Sequence, residues 1–191
     1  MVAIGCCAQC WHQSRARRSG LSTIKPEIIL HVADPKNVNW WFDNIRFSGL
    51  VTDFDRIGFS YYPLWHTTIP LRDIEAMVKG FVKKYEKDVM ILETAYPWTN
   101  AGADSYTNLF GGAPLAGYPF TTAGQSALMT DLAKAVINGG GAGIVYWEPD
   151  WITSPMKDQW GTGSSWENAT FFDFDGNLHD GINFMTADFS K

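Results

Sequence analysis

The sequence predicts an α/β protein built on a parallel sheet. Three observations predict it: four apolar segments of strand length, helical periodicity between them, and short links from each element to the next. Strands that alternate with helices in this way form right-handed βαβ units. The pattern alone leaves open whether the sheet is an open, doubly wound one or half of a barrel, since four units are too few to close eight strands.

The predicted strands are apolar, and two of them are nearly continuous in β-branched or large apolar residues. Parallel strands that are buried on both faces have this composition. The four segments are residues 28–32, 57–61, 89–93 and 143–147.

Two amphipathic helices and one shorter helix fill the intervals. Residues 71–85 carry apolar side chains three and four positions apart, and Pro70 stands just before them, where helices often begin. Residues 38–45 form the shorter helix, and of its adjacent tryptophans, Trp40 and Trp41, at least one is expected to pack inward.

The second long helix is predicted to begin near Thr122. Thr122 and Gln125 have the spacing of a capping box, and three glycines at 139–141 end the helix. Its apolar stripe consists of Leu128, Leu132, Ala135 and Val136.

Composition and charge exclude several classes of protein. The 191 residues suffice for one sizeable core. A net charge of −5 argues against a nucleic-acid partner, which requires a basic face. No apolar run approaches the roughly 20 residues that span a bilayer. A phosphate-binding glycine loop, a serine-hydrolase elbow and a zinc-protease motif are all lacking, which weakens the corresponding functions.

Residues 1–22 are predicted to be an atypical, disordered leader. They hold the three cysteines, Cys6, Cys7 and Cys10, with His12 beside them. A structural zinc site normally takes a second ligand pair from farther along the chain, and the sequence offers none. The positive charges of this segment follow its short apolar stretch, which is the reverse of a signal peptide.

Polar and aromatic side chains collect where the predicted strands end: His31 and Asp34, then Ser60, Tyr61 and Tyr62, then Glu93 and Thr94, then Trp147 and Glu148. The carboxyl ends of parallel strands carry the catalytic groups of barrels and the ligand crevice of open sheets. Carboxylates among aromatic rings suit glycoside hydrolysis, in which one acts as nucleophile and a second as acid and base. By position, Glu93 and Glu148 are both candidates, and the alternative for either is a structural carboxylate.

Residues 91–98 (ILETAYPW) make the pattern specific. They resemble the nucleophile strand of glycoside hydrolase family 53, the arabinogalactan endo-β-1,4-galactanases. Further segments resemble the same family in the same order: 30–34 (LHVAD), 55–66 (DRIGFSYYPLWH), 117–121 (GYPFT), 146–151 (YWEPDW), 160–168 (WGTGSSWEN) and 171–176 (FFDFDG).

The resemblance implies the C-terminal half of a (β/α)8 TIM barrel, strands five to eight, an incomplete barrel forming a partial domain over residues 23–191. It implies that Glu93 is the nucleophile of a retaining enzyme acting on the galactan of pectic arabinogalactan, without an organic cofactor. Members are usually secreted or periplasmic, although this chain shows no signal peptide, and a complete one is expected to be a monomer.

The family's acid/base glutamate lies in an Asn-Glu pair, and the 191 residues contain no such pair. The resemblance therefore implies a fragment that is inactive as it stands. The alternatives are a non-catalytic glycan-binding remnant and another endo-glycanase, such as a β-mannanase.

The resemblance also suggests sugar-binding residues. Trp147 is expected to stack beneath a galactose ring, Tyr61 to hydrogen-bond near the nucleophile, and His31 to line the site. Glu148 is assigned to substrate binding, and outer subsites are assigned to Trp65, His66, Trp98, Trp151 and Trp160.

Some family members bind calcium in the loop that here spans residues 100–108. This loop holds a single carboxylate, Asp104. Calcium takes six to eight oxygen ligands, several of them carboxylates. No metal site is therefore predicted, and calcium remains an open alternative.

Overall fold

The computed structural model describes residues 26–157, 159 and 161–189. Its centre is a sheet in which each strand is parallel to the next, in chain order, as the sequence predicts. The strands are β1 (Ile29–Val32), β2 (Arg56–Ser60), β3 (Asp88–Thr94) and β4 (Gly143–Tyr146). The predicted leader with its cysteines, and Trp160, lie outside the described residues.

Helices connect the strands as predicted. Helix α1 (Val38–Asp43) continues into a π-helical segment (Asn44–Ser48) that ends before Gly49. Helix α2 (Leu71–Tyr85) follows Pro70, and α3 (Thr122–Asn138) ends at Gly139. In the described residues, short 3₁₀ helices also occur at Pro35–Asn37, Glu167–Ala169 and Asp180–Thr186.

In α1, one of the two adjacent tryptophans packs inward, as expected. Trp41 lies against the core with its ring edge-on to Phe42, at 4.9 Å between centroids. Trp40 is 64% exposed on the opposite side of the helix.

The cap of α3 differs from the prediction. Thr121, not Thr122, caps the helix, and its hydroxyl accepts a 3.0 Å hydrogen bond from the Gly124 N–H. Gln125 is fully buried, and its amide nitrogen donates 2.8 Å to the carbonyl of Tyr96. The capping-box interpretation is wrong because Gln125 turns inward to satisfy buried backbone instead of reaching back to the helix start.

The two faces of the sheet differ in burial. Leu30, Ile57, Phe59, Val89 and Ile91 point towards α2 and α3 and are buried in the core. The helices contribute Ile74, Val78, Phe81, Leu128, Leu132 and Val136 to the same core.

The other face is only partly covered, and Gly58 lies at its middle. A Cβ atom on Gly58 would stand 2.3 Å from Cδ1 of Leu92 and 3.1 Å from Cγ2 of Ile29. A glycine here lets those two half-buried side chains meet across β2. This inner face leads upward to the carboxyl ends of the strands.

A bulge in β3 determines which way Glu93 faces. Phe59 pairs with Ile91, but Ser60, the next residue, pairs with Glu93, so Leu92 is an extra residue on β3. Strict alternation would send Leu92 and Glu93 to opposite faces. Because the bulge shifts the register by one, Glu93 shares the inner face with Ser60.

Among the residues that the structure describes, no helix is both long enough and apolar enough to cross a membrane.

Candidate active site

Glu93 lies at the carboxyl end of β3 and is held by groups from β1 and β2. The Ser60 hydroxyl donates a 2.9 Å hydrogen bond to its Oε2, and the Tyr62 hydroxyl donates to the same oxygen at 3.3 Å. On β1, Nε2 of His31 is 2.8 Å from the Ser60 hydroxyl oxygen, and Nδ1 of His31 is 3.9 Å from Oε1 of Glu93. Three neighbouring strands therefore fix one carboxylate.

Both ends of this network remain open to solvent. The side chains of His31 and Glu93 are 32% and 27% exposed, whereas Ser60 is 2% exposed. The carboxylate can therefore reach a ligand from the inner side of the sheet, while its anchor is buried.

Tyr61 does not take the place that the sequence suggested for it. Its hydroxyl donates 2.8 Å to the carbonyl of Ile69, and its ring is 1% exposed in the core. The hydrogen bond that was predicted for Tyr61 at Glu93 is made by Tyr62 instead. The reason is the period of two in extended chain, which places residues 60 and 62 on one face and residue 61 on the other.

The environment of Tyr62 keeps its hydroxyl protonated. Burial raises the pKa of Tyr62 well above its usual value, and the negative charge and hydrogen bonding of Glu93 raise it further. The negative charge of Glu148 also raises the pKa of Tyr62, by a smaller amount. Tyr62 therefore acts as a hydrogen-bond donor to Glu93 throughout the ordinary pH range.

Aromatic rings pack together beside Tyr62. Trp65 packs 4.6 Å from Tyr62 and stacks on Phe110 at 4.7 Å, and Trp166 lies edge-on to both Tyr62 and Trp65 at 6.0 Å. These four residues form what we call the aromatic wall. Trp65 is 45% exposed, so part of its ring remains available to a ligand. Flat apolar surfaces of this kind suit the faces of sugar rings.

Trp147 follows β4 and is joined to this wall through its backbone. Its N–H donates 2.9 Å to Thr94, and its carbonyl accepts 3.0 Å from the indole of Trp166. Its own side chain is 40% exposed. Glu148, the next residue, adopts a left-handed conformation with φ of 50°, which turns the chain away from the strand direction.

His66 supports the backbone beneath Tyr62. Its Nδ1 accepts a 2.9 Å hydrogen bond from the Tyr62 N–H, and its ring stacks on Tyr61 at 5.9 Å. Burial lowers the pKa of His66, with the charge of Asp34 opposing and that of Lys36 reinforcing the effect. The neutral ring therefore carries its proton on Nε2.

Two other predicted residues lie farther from this network. Trp98 packs against Phe174 at 5.0 Å and His179 at 5.1 Å, and its backbone N–H donates to Asn168. Trp151 packs, half-buried, against the aromatic wall.

The carboxylate of Asp104 accepts hydrogen bonds from its own loop and from two segments that follow it. Its Oδ1 accepts 2.6 Å from the Tyr106 N–H, and its Oδ2 accepts 2.8 Å from the Ser164 N–H and 2.6 Å from the Thr153 hydroxyl. Thr153 also contacts the buried carboxylate of Glu167. No group of three or more potential metal-binding side chains occurs in the described part of the chain.

Ser60 and Tyr62 belong to the predicted strand-end group, but no role was predicted for either, and the hydrogen bond near Glu93 was assigned to Tyr61. Extended chain has a period of two residues, so Ser60 and Tyr62 lie on the same inner face as Gly58. Along β2, Ile57 and Phe59 alternate with Gly58 and Ser60, so the sequence separates the two faces, but the partners of Glu93 depend on the register between β2 and β3. Chemically, the arrangement presents one carboxylate with an anchored oxygen and a less encumbered one, near the exposed ring of Trp65, which suits nucleophilic attack on a sugar.

Comparisons with known proteins agree with this chemistry. The family model described as glycosyl hydrolase family 53 matches residues 9–185, and so begins before the predicted domain start at residue 23. An arabinogalactan endo-beta-1,4-galactanase of Cellvibrio japonicus is 40% identical over 153 residues, covering 79% of this chain and 40% of the relative.

Solved structures give the same match. The GH53 catalytic domain of Ignisphaera aggregans superposes with a TM-score of 0.73 at 34% identity, over 83% of this chain and 45% of that one. A structure of fungal beta-1,4-galactanases superposes with a TM-score of 0.66 at 25% identity, over 86% of this chain and 48% of that one. The chain thus spans less than half the length of each of these relatives.

Proposed function

The chain belongs to glycosyl hydrolase family 53, and from this membership we propose that it carries the nucleophile side of a retaining endo-β-1,4-galactanase site. The family's structural neighbours imply a TIM-barrel fold, of which the four-stranded parallel sheet is a part. In the proposal, β1 to β4 correspond to barrel strands five to eight.

One observation carries the proposal: the carboxylate of Glu93 stands at the carboxyl end of β3, anchored by Ser60 and Tyr62 and open on its other side. Catalytic groups of TIM barrels occupy this edge of the sheet. Within the aromatic wall beside it, Trp65 is 45% exposed and offers a stacking surface to a sugar ring. The substrate, β-1,4-galactan, is taken from the name of the Cellvibrio relative.

In the proposed reaction, Glu93 attacks the anomeric carbon of a galactose unit. The glycosidic C–O bond breaks as an ester bond to Glu93 forms, and a general acid protonates the departing oxygen. Water then attacks the same carbon, giving up a proton to that group acting as base, and the sugar is released with retained configuration. No organic cofactor takes part.

We propose that the general acid is not among these 191 residues. The sequence has no Asn-Glu pair, and the hydrogen bonds that hold the Glu93 carboxylate come from two hydroxyls. Without that acid the chain is expected to leave natural galactan uncleaved. Galactan with an ordinary alcohol leaving group therefore cannot test the nucleophile.

A substrate that needs no protonation can. We expect 2,4-dinitrophenyl 2-deoxy-2-fluoro-β-galactobioside to react with the chain, since dinitrophenolate departs as a stable anion and the fluorine slows hydrolysis of the ester. Peptide mass spectrometry should find the galactobiosyl group on Glu93. A folded chain that remains unlabelled, or is labelled elsewhere, contradicts the proposal.

The same experiment separates the alternatives. The corresponding mannobioside labels Glu93 faster than the galactobioside if the chain derives from a β-mannanase. A non-catalytic remnant binds galactan in calorimetry but releases no dinitrophenolate. The proposed galactanase predicts labelling by the galactobioside and slower or no labelling by the mannobioside.

A further inference from the structure

We propose that Ser60 is a positioning residue which anchors Oε2 of Glu93 and thereby leaves Oε1 as the attacking oxygen. This inference rests on the proposed nucleophilic role of Glu93. It concerns a residue whose contribution lies in its hydrogen bonds and its burial, because its side chain is too enclosed to meet the substrate.

The two oxygens of Glu93 have different surroundings. Oε2 accepts hydrogen bonds from the hydroxyls of Ser60 at 2.9 Å and Tyr62 at 3.3 Å. Oε1 has His31 Nδ1 at 3.9 Å, which is beyond hydrogen-bond distance. A carboxylate oxygen with two donors has lone pairs committed to them, so the other oxygen is the better placed to form a bond to carbon.

Proton counting sets the direction of the network. The Ser60 hydroxyl has a single proton, which it donates to Glu93, so its oxygen must accept from Nε2 of His31 at 2.8 Å. His31 therefore orients Ser60, and its Nδ1, at 3.9 Å from Oε1, is too distant to hydrogen-bond that oxygen.

Burial makes Ser60 the rigid member of the set. It is 2% exposed, at the point where the bulge in β3 brings Glu93 into register with it. Glu93 and His31 are each about 30% exposed and would rotate more freely without it. Since a displacement of about 1 Å from reactive geometry can cost roughly 100-fold in rate, a fixed carboxylate plane has direct kinetic value.

The test uses the whole 191-residue chain and the fluorinated dinitrophenyl galactobioside. We expect Ser60→Ala to lower the first-order labelling rate constant about 10- to 100-fold, while the dissociation constant of the reagent stays nearly unchanged. Ser60→Thr retains the hydroxyl and should recover much of the rate. Dinitrophenolate absorbance gives the rate, and circular dichroism checks the fold of each variant.

Thr170→Val is the matched control, because Thr170 is a buried hydroxyl that donates only to backbone carbonyls. It should lower stability without slowing labelling. If Ser60→Ala fails to fold, Ser60→Cys replaces it: the weaker thiol donor should label more slowly than Ser60→Thr.

Three results decide the question. Equal rates for wild type and Ser60→Ala overturn the positioning role. Equally slow Ala and Thr variants also overturn it, since side-chain volume would then be the cause. If the wild type itself is not labelled on Glu93, it is the nucleophile assignment that fails, and the two failures are thereby distinguished.

Discussion

The hydroxyl of Tyr62 donates a 3.3 Å hydrogen bond to Oε2 of Glu93, across the carboxyl edge of the sheet. We expect Tyr62→Phe to slow covalent labelling of Glu93 by about 10-fold, as loss of a hydrogen bond to a charged group does. Tyr61→Phe is the adjacent control. It removes the bond to Ile69 and should lower the free energy of unfolding by about 1–3 kcal/mol without changing the labelling rate. The reverse outcome would assign the site contact to Tyr61.

Replacement of the proposed nucleophile should separate binding from chemistry. Glu93→Gln keeps the size of the side chain but cannot form the glycosyl ester, so we expect labelling to disappear while galactan binding by calorimetry is nearly unchanged. Glu148→Gln is the matched control and should remain labelled at Glu93. Labelling of the Glu93→Gln variant at another carboxylate would contradict the assignment.

Two glycines in helices should respond oppositely to alanine. In α3, a Cβ on Gly124 would stand 2.0 Å from the carbonyl oxygen of Pro119, so Gly124→Ala must displace backbone and should cost about 1–3 kcal/mol. In α2, Gly80 has open space around its Cα, and Gly80→Ala should stabilise by about 0.5–1 kcal/mol. Urea unfolding of both variants measures the change in the free energy of unfolding. If both substitutions changed it in the same direction, the close contact of Gly124 with Pro119 would not be supported.

Stability should fall in mildly acidic solution because of two histidines. Burial lowers the pKa of His66 and of His179 below the usual 6.5. Below about pH 6.5 the unfolded chain therefore binds more protons at these two residues than the folded chain does. Their contribution is complete above about pH 6.5 and is lost as the pH falls from there through the folded pKa values. Urea unfolding at about pH 7.5 and 5.5 measures the loss. The His66→Gln, His179→Gln double variant should lose less stability between these two pH values. If its pH dependence equals that of the wild type, the two histidines are not the cause.

The loop around Asp104 should hold without calcium. Burial alone would raise the pKa of Asp104, but hydrogen bonds from Thr153, Ser164 and Tyr106 outweigh it and hold the pKa below its usual value. With both oxygens engaged, we expect neither calcium nor a chelator to change Tm, whereas Asp104→Ala should cost about 1.5–3 kcal/mol. A rise in Tm with calcium that disappears in Asp104→Ala would show that the carboxylate binds the ion.

Sequence patterns predicted much of the fold because the signals were local. Each strand lies within one or two residues of its predicted bounds, and α2 matches at both ends, since apolar spacing and Pro70 determine it. The family resemblance drawn from the motifs is also confirmed. The capping interpretation at Thr122 failed because two adjacent threonines offer the same chemistry, and only the tertiary demand on Gln125 selects Thr121.

The site was predicted less completely, for a physical reason. The position of Glu93 at a strand end follows from the sequence. The face of the sheet to which its side chain points depends on the bulge in β3, and no residue type in β3 predicts a bulge. The roles of Ser60 and Tyr62 were not predicted for the same reason, because hydrogen-bonding partners on a neighbouring strand are fixed by register and not by spacing along the chain.

The anchoring of Glu93 has a consequence for how such barrels can be recombined. His31, Ser60, Tyr62 and Glu93 come from three consecutive strands and the residues just after them, within residues 31–93. A gene crossover placed ahead of β1 would transfer all four of these residues together, with their hydrogen bonds intact. Chimaeras that pair this segment with the leading half of different family members should therefore vary in proton donation while retaining the same nucleophile geometry.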